Sequence, residues 1–145
     1  MHLEHIESTS VPGLAAKPVI DIAVGLKRLE QAAVCIPILE TLGYHYVPEL
    51  EVDLPGRRFL CAGTPLVHTY HLHVTEVASP LWVGPIAFKD YLRRRPEAAC
   101  EYARLKRALA QQCGSEIGAY IAGKREFVER ILRQARMDSV ARRQP

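Results

Sequence analysis

The chain has 145 residues, of which 48% are hydrophobic and 24% charged. This length and balance fit one soluble globular domain and exclude a mainly disordered chain. No apolar run approaches the ~20 residues that a membrane-spanning helix needs, and the first ten residues, MHLEHIESTS, lack the pattern of a secretory signal. The four cysteines form no CxxC pair, which argues against a zinc site or disulfide framework, so we expect a cytoplasmic protein.

The net charge of +3 is unevenly distributed along the chain. Residues 1–88 hold 5 Lys or Arg and 9 Asp or Glu, a net charge of −4, whereas residues 89–145 hold 14 and 7, a net charge of +7. A basic half can attract nucleic acid, but basic residues interleaved with glutamate on helices usually form a solvated surface. Nucleic-acid binding is therefore the least favoured of the functions that we consider.

The first two-thirds of the chain predict short strands and turns around one helix. Lys17–Val24 (KPVIDIAV) alternates and is apolar at nearly every position, which favours a central strand covered on both faces. Leu29–Leu42 has apolar residues at helical spacing and ends before Gly43, with a kink expected at Pro37.

Three further strands are predicted after this helix, at Tyr44–Val47, Phe59–Ala62 and His68–Thr75. The last of them alternates most clearly, with Leu72 and Val74 on one face and His71 and His73 on the other. These strands predict one mixed sheet.

The last third of the chain has helical periodicity. We expect helices over Phe88–Arg95, from Pro96 to Gly114, and from about Ile117 to Met137. The predicted fold class is α+β, a mixed sheet with packed helices and a helical C-terminal segment. Residues 1–138 are expected to form a single domain, and residues 139–145 a disordered tail.

A Ser-Thr-Ser cluster (Ser8, Thr9 and Ser10) lies at a predicted turn shortly before the strand that carries Asp21. Hydroxyl groups and free amides at a turn can hold phosphate oxygens, and a nearby carboxylate can hold the magnesium that bridges them. The alternative is that the cluster caps a short helix and Asp21 is a paired structural carboxylate. A carboxylate within VIDIAV is costly to bury without a partner, which favours a functional role.

Four runs of the sequence resemble the GrpB family: STSVPGLAAKPVIDI, YHLHV, FKDYLRRRPEAACEYARLKRALA and AYIAGKREFVERIL. The resemblance covers essentially the whole chain and implies the fold of the nucleotidyltransferase superfamily. The signature of that superfamily is Gly-Ser on a turn, a strand with two acidic residues separated by one, and a third carboxylate on a later strand. Two carboxylates at this spacing share a strand face, where they can hold two magnesium ions.

Two residues of this chain match the signature and two depart from it. Ser8 stands at the position of the signature serine, and Asp21 at that of the first carboxylate. Glu7 replaces the glycine and Ala23 the second carboxylate, so the implied metal site is incomplete. Because GrpB-like sequences usually carry a further segment before this motif, the chain resembles a GrpB protein shortened at its N-terminus.

His71 and His73 lie two residues apart in a predicted strand and therefore face the same way. Such a pair can bind a metal or supply a base, although most HxH pairs on strands are hydrogen-bonded histidines without ligands. The resemblance places this strand beside that of Asp21, where the third carboxylate would lie. It thereby implies Asp21, His71 and His73 as catalytic residues and as ligands of a divalent metal, either magnesium or manganese, with zinc a further candidate.

Basic side chains able to reach a phosphate complete the predicted site. Lys17 precedes the strand of Asp21, and Arg57 and Arg58 open another strand. Lys124 interrupts an apolar helical stripe, where the alternative is a lysine whose stem covers the core. The predicted substrate-binding residues are Ser8, Thr9, Ser10, Lys17, Arg57, Arg58 and Lys124.

These residues predict a GrpB-like domain that binds a nucleotide or another phosphorylated small molecule, with nucleotidyl transfer if the incomplete metal site supports it. The alternative is a non-enzymatic accessory or regulatory module, because proteins that resemble GrpB also occur fused to dephospho-CoA kinase. Ala23 favours the accessory module, whereas Asp21 together with the two histidines favours the nucleotide-binding domain. No membrane partner is expected, and the sequence predicts no oligomeric state.

Overall fold

The computed structural model describes residues 1–64 and 67–141 and has the predicted α+β architecture. The strands are β1 (His2–Ile6), β2 (Ile20–Leu26), β3 (Tyr44–Tyr46), β4 (Arg57–Gly63) and β5 (His68–Glu76). They form a mixed sheet of five strands in the order β1-β2-β5-β4-β3. β2 and β5 are parallel, and the other neighbouring strands are antiparallel.

The helices are α1 (Ala32–Thr41), α2 (Pro80–Arg94), α3 (Pro96–Cys113) and α4 (Ile117–Ala141). Short 3₁₀ turns form at Ser8–Ser10, Leu29–Gln31 and Pro48–Glu51. Among the described residues, no helix combines the length and apolar character needed to cross a membrane.

The strand β1 is absent from the sequence-based prediction. Only Ile6 of its five residues is buried, so this edge strand lacks the apolar alternation that marks the others. β2 begins at Ile20 rather than at Lys17, because Pro18 has no N–H group to give to a sheet. The predicted central position of β2 is confirmed, since it pairs with β1 on one side and β5 on the other.

The helix α1 differs from its prediction at both ends. The predicted first turn is the 3₁₀ turn Leu29–Gln31, and the α-helix itself starts at Ala32 and includes Pro37. Leu42, predicted to belong to the apolar stripe, is 70% exposed. Gly43 ends the helix as predicted, with a φ of 87° that glycine adopts without strain.

Two C-terminal helices are longer than predicted. α2 starts at Pro80, well before Phe88, because the carbonyl of Ser79 accepts the backbone N–H groups of Trp82 and Val83, both at 3.1 Å. A proline at the first helical position loses no hydrogen bond. α4 runs to Ala141, so residues 139–141 are helical where a disordered tail is predicted, and residues 142–145 of that tail lie outside the described residues.

The chain divides into two compact units, which we call the sheet unit (residues 1–10 and 16–86) and the helical unit (residues 11–15 and from 87 onward). The core of the sheet unit contains Val24, Leu26, Ala32, Leu60, Leu72 and Val74. The core of the helical unit is built around Tyr102 and Phe127, whose rings stack with centroids 5.0 Å apart. Each unit therefore has its own apolar core.

Gly25 of β2 lies where the sheet and the first turn of α2 approach closely. A Cβ atom at this position would lie 2.6 Å from Val77 Cγ1 and 2.8 Å from the Trp82 ring. Because both distances are shorter than the contacts that Cβ atoms make in proteins, the close approach favours glycine.

We predict that Gly25→Ala lowers the free energy of unfolding by about 1–3 kcal/mol through overpacking. Gly118→Ala is the matched control, because an added Cβ on this α4 residue meets no atom within 4 Å. The control should leave stability unchanged or raise it by up to about 1 kcal/mol. Urea unfolding of both variants tests the prediction, and equal effects would contradict it.

Candidate functional site

The site lies on one face of the sheet, where β2, β5 and β4 are adjacent. In the parallel pairing of β2 with β5, Asp21 is opposite His71 and Ala23 is opposite His73. Because residues two apart in a strand share a face, the side chains of Asp21, His71 and His73 all point to the same side. The apolar residues between them, including Leu72 and Val74, point into the core of the sheet unit.

The three polar side chains form one hydrogen-bonded cluster. Asp21 Oδ1 lies 3.1 Å from His71 Nδ1 and 2.9 Å from His73 Nε2. All three side chains are partly buried, with exposed fractions of 20% for Asp21, 24% for His71 and 18% for His73. The structure thus brings together the carboxylate and both imidazoles of the predicted site.

The surroundings of Asp21 shift the pKa of its carboxyl group in opposite directions. Burial by itself raises the pKa, but the hydrogen bonds from His71 and His73 and the charges on those rings lower it from 3.8 to about 2. The ionised form of Asp21 is therefore stabilised by its partners in the folded protein.

Contacts with Arg57, His68 and Phe59 also hold the two imidazole rings. Arg57 Nη1 lies 3.3 Å from His73 Nδ1, and His68 Nδ1 lies 3.2 Å from His71 Nε2. The ring of Phe59 packs against both site histidines, with centroid distances of 5.0 Å to His71 and 5.3 Å to His73. Arg57 is itself partly buried, which lowers the pKa of its guanidinium.

The arrangement contains side chains that could hold a metal ion. Asp21, His71 and His73 each offer one ligand atom, and these atoms all lie within 4.8 Å of one another. One carboxylate and two imidazoles suit manganese or zinc better than magnesium, which prefers oxygen ligands. The donor set thus fits a divalent transition metal.

The Ser8–Ser10 turn follows β1 directly, and β1 ends with Ile6 opposite Asp21. Ser10 Oγ donates to the Glu7 carbonyl at 2.5 Å, and Thr9 Oγ1 lies 2.8 Å from His5 Nε2. These contacts hold the turn locally. Glu7, which replaces the glycine of the superfamily signature, has a φ of 60°, where a glycine would be free of strain.

The predicted basic residues are only partly brought to this face. Arg57 contacts His73, whereas Arg58 belongs to the opposite face by alternation and pairs with Glu51 at 2.9 Å. Lys17 is exposed ahead of β2. Lys124 belongs to the helical unit, where its Nζ lies 4.7 Å from the Tyr120 ring centroid.

The sequence reasoning missed Phe59 and His68 as parts of the site. His68 is three residues before His71, so strict alternation would place the two rings on opposite faces. An irregularity in the pairing of β4 with β5 at Ala62 and Gly63 shifts the register there, which permits the contact between the two rings. Phe59 could have been predicted, because it lies two residues after Arg57 in the same strand and therefore on the same face.

Comparison with known proteins assigns the chain to a family. The profile of the family described as GrpB protein matches residues 1–134. The chain belongs to the GrpB family. It is 32% identical to the glutamate-rich protein GrpB of Alkalihalophilus pseudofirmus, over 91% of this chain and 77% of that protein. It is 37% identical to the UPF0157 protein YqkA of Bacillus subtilis, covering 88% of this chain but only 36% of YqkA.

A solved GrpB structure confirms the fold class. The crystal structure of the conserved protein GrpB from Enterococcus faecalis is 38% identical and aligns with a TM-score of 0.80, covering 93% of this chain and 79% of that chain. The fold is therefore the predicted nucleotidyltransferase-like α+β fold. The chain is also 26% identical to a protein named dephospho-CoA kinase from Mycolicibacterium paratuberculosis, over 39% of that protein.

The pKa of Asp21 leads to a prediction about acid stability. Because folding lowers this pKa from 3.8 to about 2, the carboxylate contributes stability above pH 3.8 that is lost as the pH falls through about 2. We expect Asp21→Asn to remove about 2 kcal/mol of the pH dependence of the unfolding free energy in this range.

Urea unfolding followed by circular dichroism over this pH range measures the effect. Asp53→Asn is the matched control, since Asp53 is an exposed loop carboxylate. It should keep the wild-type pH dependence, and an equally steep dependence in Asp21→Asn would show that Asp21 is not the responsible group.

Proposed function

We propose that the sheet face of this GrpB protein binds a nucleotide or another phosphorylated small molecule together with a divalent metal. The observation that carries the proposal is the cluster of Asp21, His71 and His73, whose ligand atoms lie within 4.8 Å of one another. These three residues would hold the metal, and the bound metal would neutralise phosphate charge.

Two neighbouring features support a phosphorylated ligand. The Ser8–Ser10 turn follows the last residue of β1, which is paired with Asp21. The hydroxyl and amide groups of the turn therefore lie at the end of β1 that is nearest to the cluster. Arg57 supplies a guanidinium within 3.3 Å of His73, and arginine binds phosphate through two parallel hydrogen bonds. The guanidinium, the hydroxyl-bearing turn and a metal held by the Asp21 cluster would together favour a phosphate over an uncharged ligand.

The alanine at position 23 favours ligand binding with little nucleotidyl transfer. It lies on the face of Asp21, opposite His73 in the register and 1% exposed, where the superfamily signature has its second carboxylate. A methyl group cannot hold a second metal ion that stabilises both the attacking and the leaving oxygen. Losing one such electrostatic contact slows catalysis by about 10² to 10³.

The second candidate function is a non-enzymatic accessory or regulatory module. The likeness to a protein named dephospho-CoA kinase, over 39% of that protein, supports it, as does Ala23. Such a module would still use the Asp21 cluster for binding, and transfer from a nucleoside triphosphate would be absent.

We predict that Mn²⁺ and Zn²⁺ bind the protein more tightly than Mg²⁺, by about tenfold or more, because imidazole ligands suit them better. His73→Ala should weaken Mn²⁺ binding by at least about tenfold, since it removes one of three ligands. Isothermal titration calorimetry with each metal measures both effects.

The matched control is His45→Ala, which removes an exposed imidazole on β3. Its Mn²⁺ affinity should equal that of the wild type. Equally weak binding of all three metals, unaffected by His73→Ala, would reject the metal site.

We further predict that the protein binds nucleoside triphosphates in the presence of Mn²⁺ and transfers their nucleotidyl groups slowly or not at all. Asp21→Asn should abolish the metal-dependent part of the binding, whereas Asp53→Asn should keep it, because Asp21 is one of the three proposed metal ligands and Asp53 is not. Binding and transfer are both measured with labelled triphosphates. Rapid transfer that Asp21→Asn abolishes would overturn the expectation of binding without efficient transfer.

A further inference from the structure

The hydrogen bonds around His73 determine which of its ring nitrogens carries the proton. His73 Nε2 faces Asp21 Oδ1 at 2.9 Å, and His73 Nδ1 faces Arg57 Nη1 at 3.3 Å. A guanidinium has only donors, so His73 Nδ1 must accept. The proton of the neutral ring is therefore on Nε2, where it is donated to Asp21.

The tautomer of His71 is restricted by Asp21, because an ionised carboxylate can only accept. Its Nδ1 faces Asp21 and its Nε2 faces His68 Nδ1. The proton of neutral His71 is therefore on Nδ1, where it is donated to Asp21, and its Nε2 accepts from His68. The outer nitrogen of His71 faces an imidazole, which can donate or accept, whereas the outer nitrogen of His73 faces a guanidinium, which can only donate.

The imposed tautomer conflicts with metal binding. A neutral histidine binds a metal through the ring nitrogen that carries no proton. The other ring nitrogen then carries the proton and donates it to a neighbouring acceptor. If His73 Nε2 binds a metal beside Asp21, its proton must lie on Nδ1, where it meets a donor of Arg57. The guanidinium charge also repels the cation. Arg57 must therefore leave His73 before this ring can be a ligand.

The contacts of Arg57 leave part of its guanidinium group unsatisfied. Its Nε is buried and has no hydrogen-bond partner among residues 1–64 and 67–141, and its guanidinium lies 5.3 Å from the Phe59 ring centroid. A buried donor without a partner is costly, and a tetrahedral oxyanion would satisfy it together with a neighbouring Nη. The unpartnered Nε thus indicates the chemical class that would draw Arg57 away.

We propose that Arg57 couples oxyanion binding to metal binding at this site. An oxyanion such as the phosphate group of the ligand takes the guanidinium, His73 Nδ1 then carries the proton, and Nε2 becomes available to the metal. By linkage, the metal strengthens oxyanion binding by the same factor. The inference rests on the proposed function for the place of the metal, and it makes the site selective for a metal and a phosphate arriving together.

The test compares Mn²⁺ affinity in sulfate and in chloride at matched ionic strength, since sulfate is a tetrahedral oxyanion that binds free Mn²⁺ weakly. In the wild type, sulfate should tighten Mn²⁺ binding by about fivefold or more. Arg57→Gln should bind Mn²⁺ more tightly than the wild type in chloride and lose the sulfate effect, because a glutamine side chain is uncharged and can accept from His73 Nδ1. Arg57→Met, which can also pack on Phe59, should behave in the same way.

Arg58→Gln is the matched control, with the same charge change on the neighbouring residue of the opposite face. It should keep the wild-type sulfate effect. A wild type without a sulfate effect, or an Arg57→Gln protein that keeps it, would overturn the coupling while leaving the metal site intact. Absence of Mn²⁺ binding in every protein and both salts would instead overturn the proposed function and the coupling with it.

The tautomer can be measured without any metal. Long-range ¹H–¹⁵N spectra at slightly alkaline pH should show His73 of the wild type with its proton on Nε2, because Asp21 accepts at Nε2 and Arg57 donates to Nδ1. A proton on Nδ1 would overturn the contact between Arg57 and His73 from which the coupling is argued.

Discussion

The parallel pairing of β2 with β5 is the contact on which the site depends. Its register sets Asp21 opposite His71 and, on the other face, Ile22 opposite Leu72. A slip by one residue would turn the polar side chains into the core and the apolar ones outward. Burial of the apolar face therefore holds the polar cluster in place, and the hydrophobic effect positions groups that by themselves would be costly to bury.

Electrostatics on the polar face are arranged around a single carboxylate. Asp21 accepts from two imidazoles, and the outer nitrogens of those rings face Arg57 on one side and His68 on the other. Because the cluster is partly buried, these contacts are stronger than they would be in water, and each unsatisfied donor costs more. The single guanidinium of Arg57 thus has a large influence on whether a cation or an anion is favoured.

Much of this arrangement follows from local patterns in the sequence. Alternation predicts β2 and β5 and places Asp21 on one strand face and His71 and His73 on one face of the other. Family resemblance then predicts that the two strands are neighbours. Edge strand β1 escapes this reasoning because most of its residues are exposed. The early start of α2 escapes it because the first turn is set by hydrogen bonds to the Ser79 carbonyl and lies ahead of the apolar stripe that predicts the helix.

The sequence by itself determined which residues share a strand face, because the two-residue period of a strand is a local property of the backbone. Only the tertiary structure decided that Arg57, rather than Arg58, reaches His73, since the register of β4 against β5 is set by pairing across distant parts of the chain. It also decided that His68 joins the cluster, because the register shift beside Gly63 changes the face on which His68 lies. Such a shift arises from strand pairing and leaves no periodic signal in the sequence.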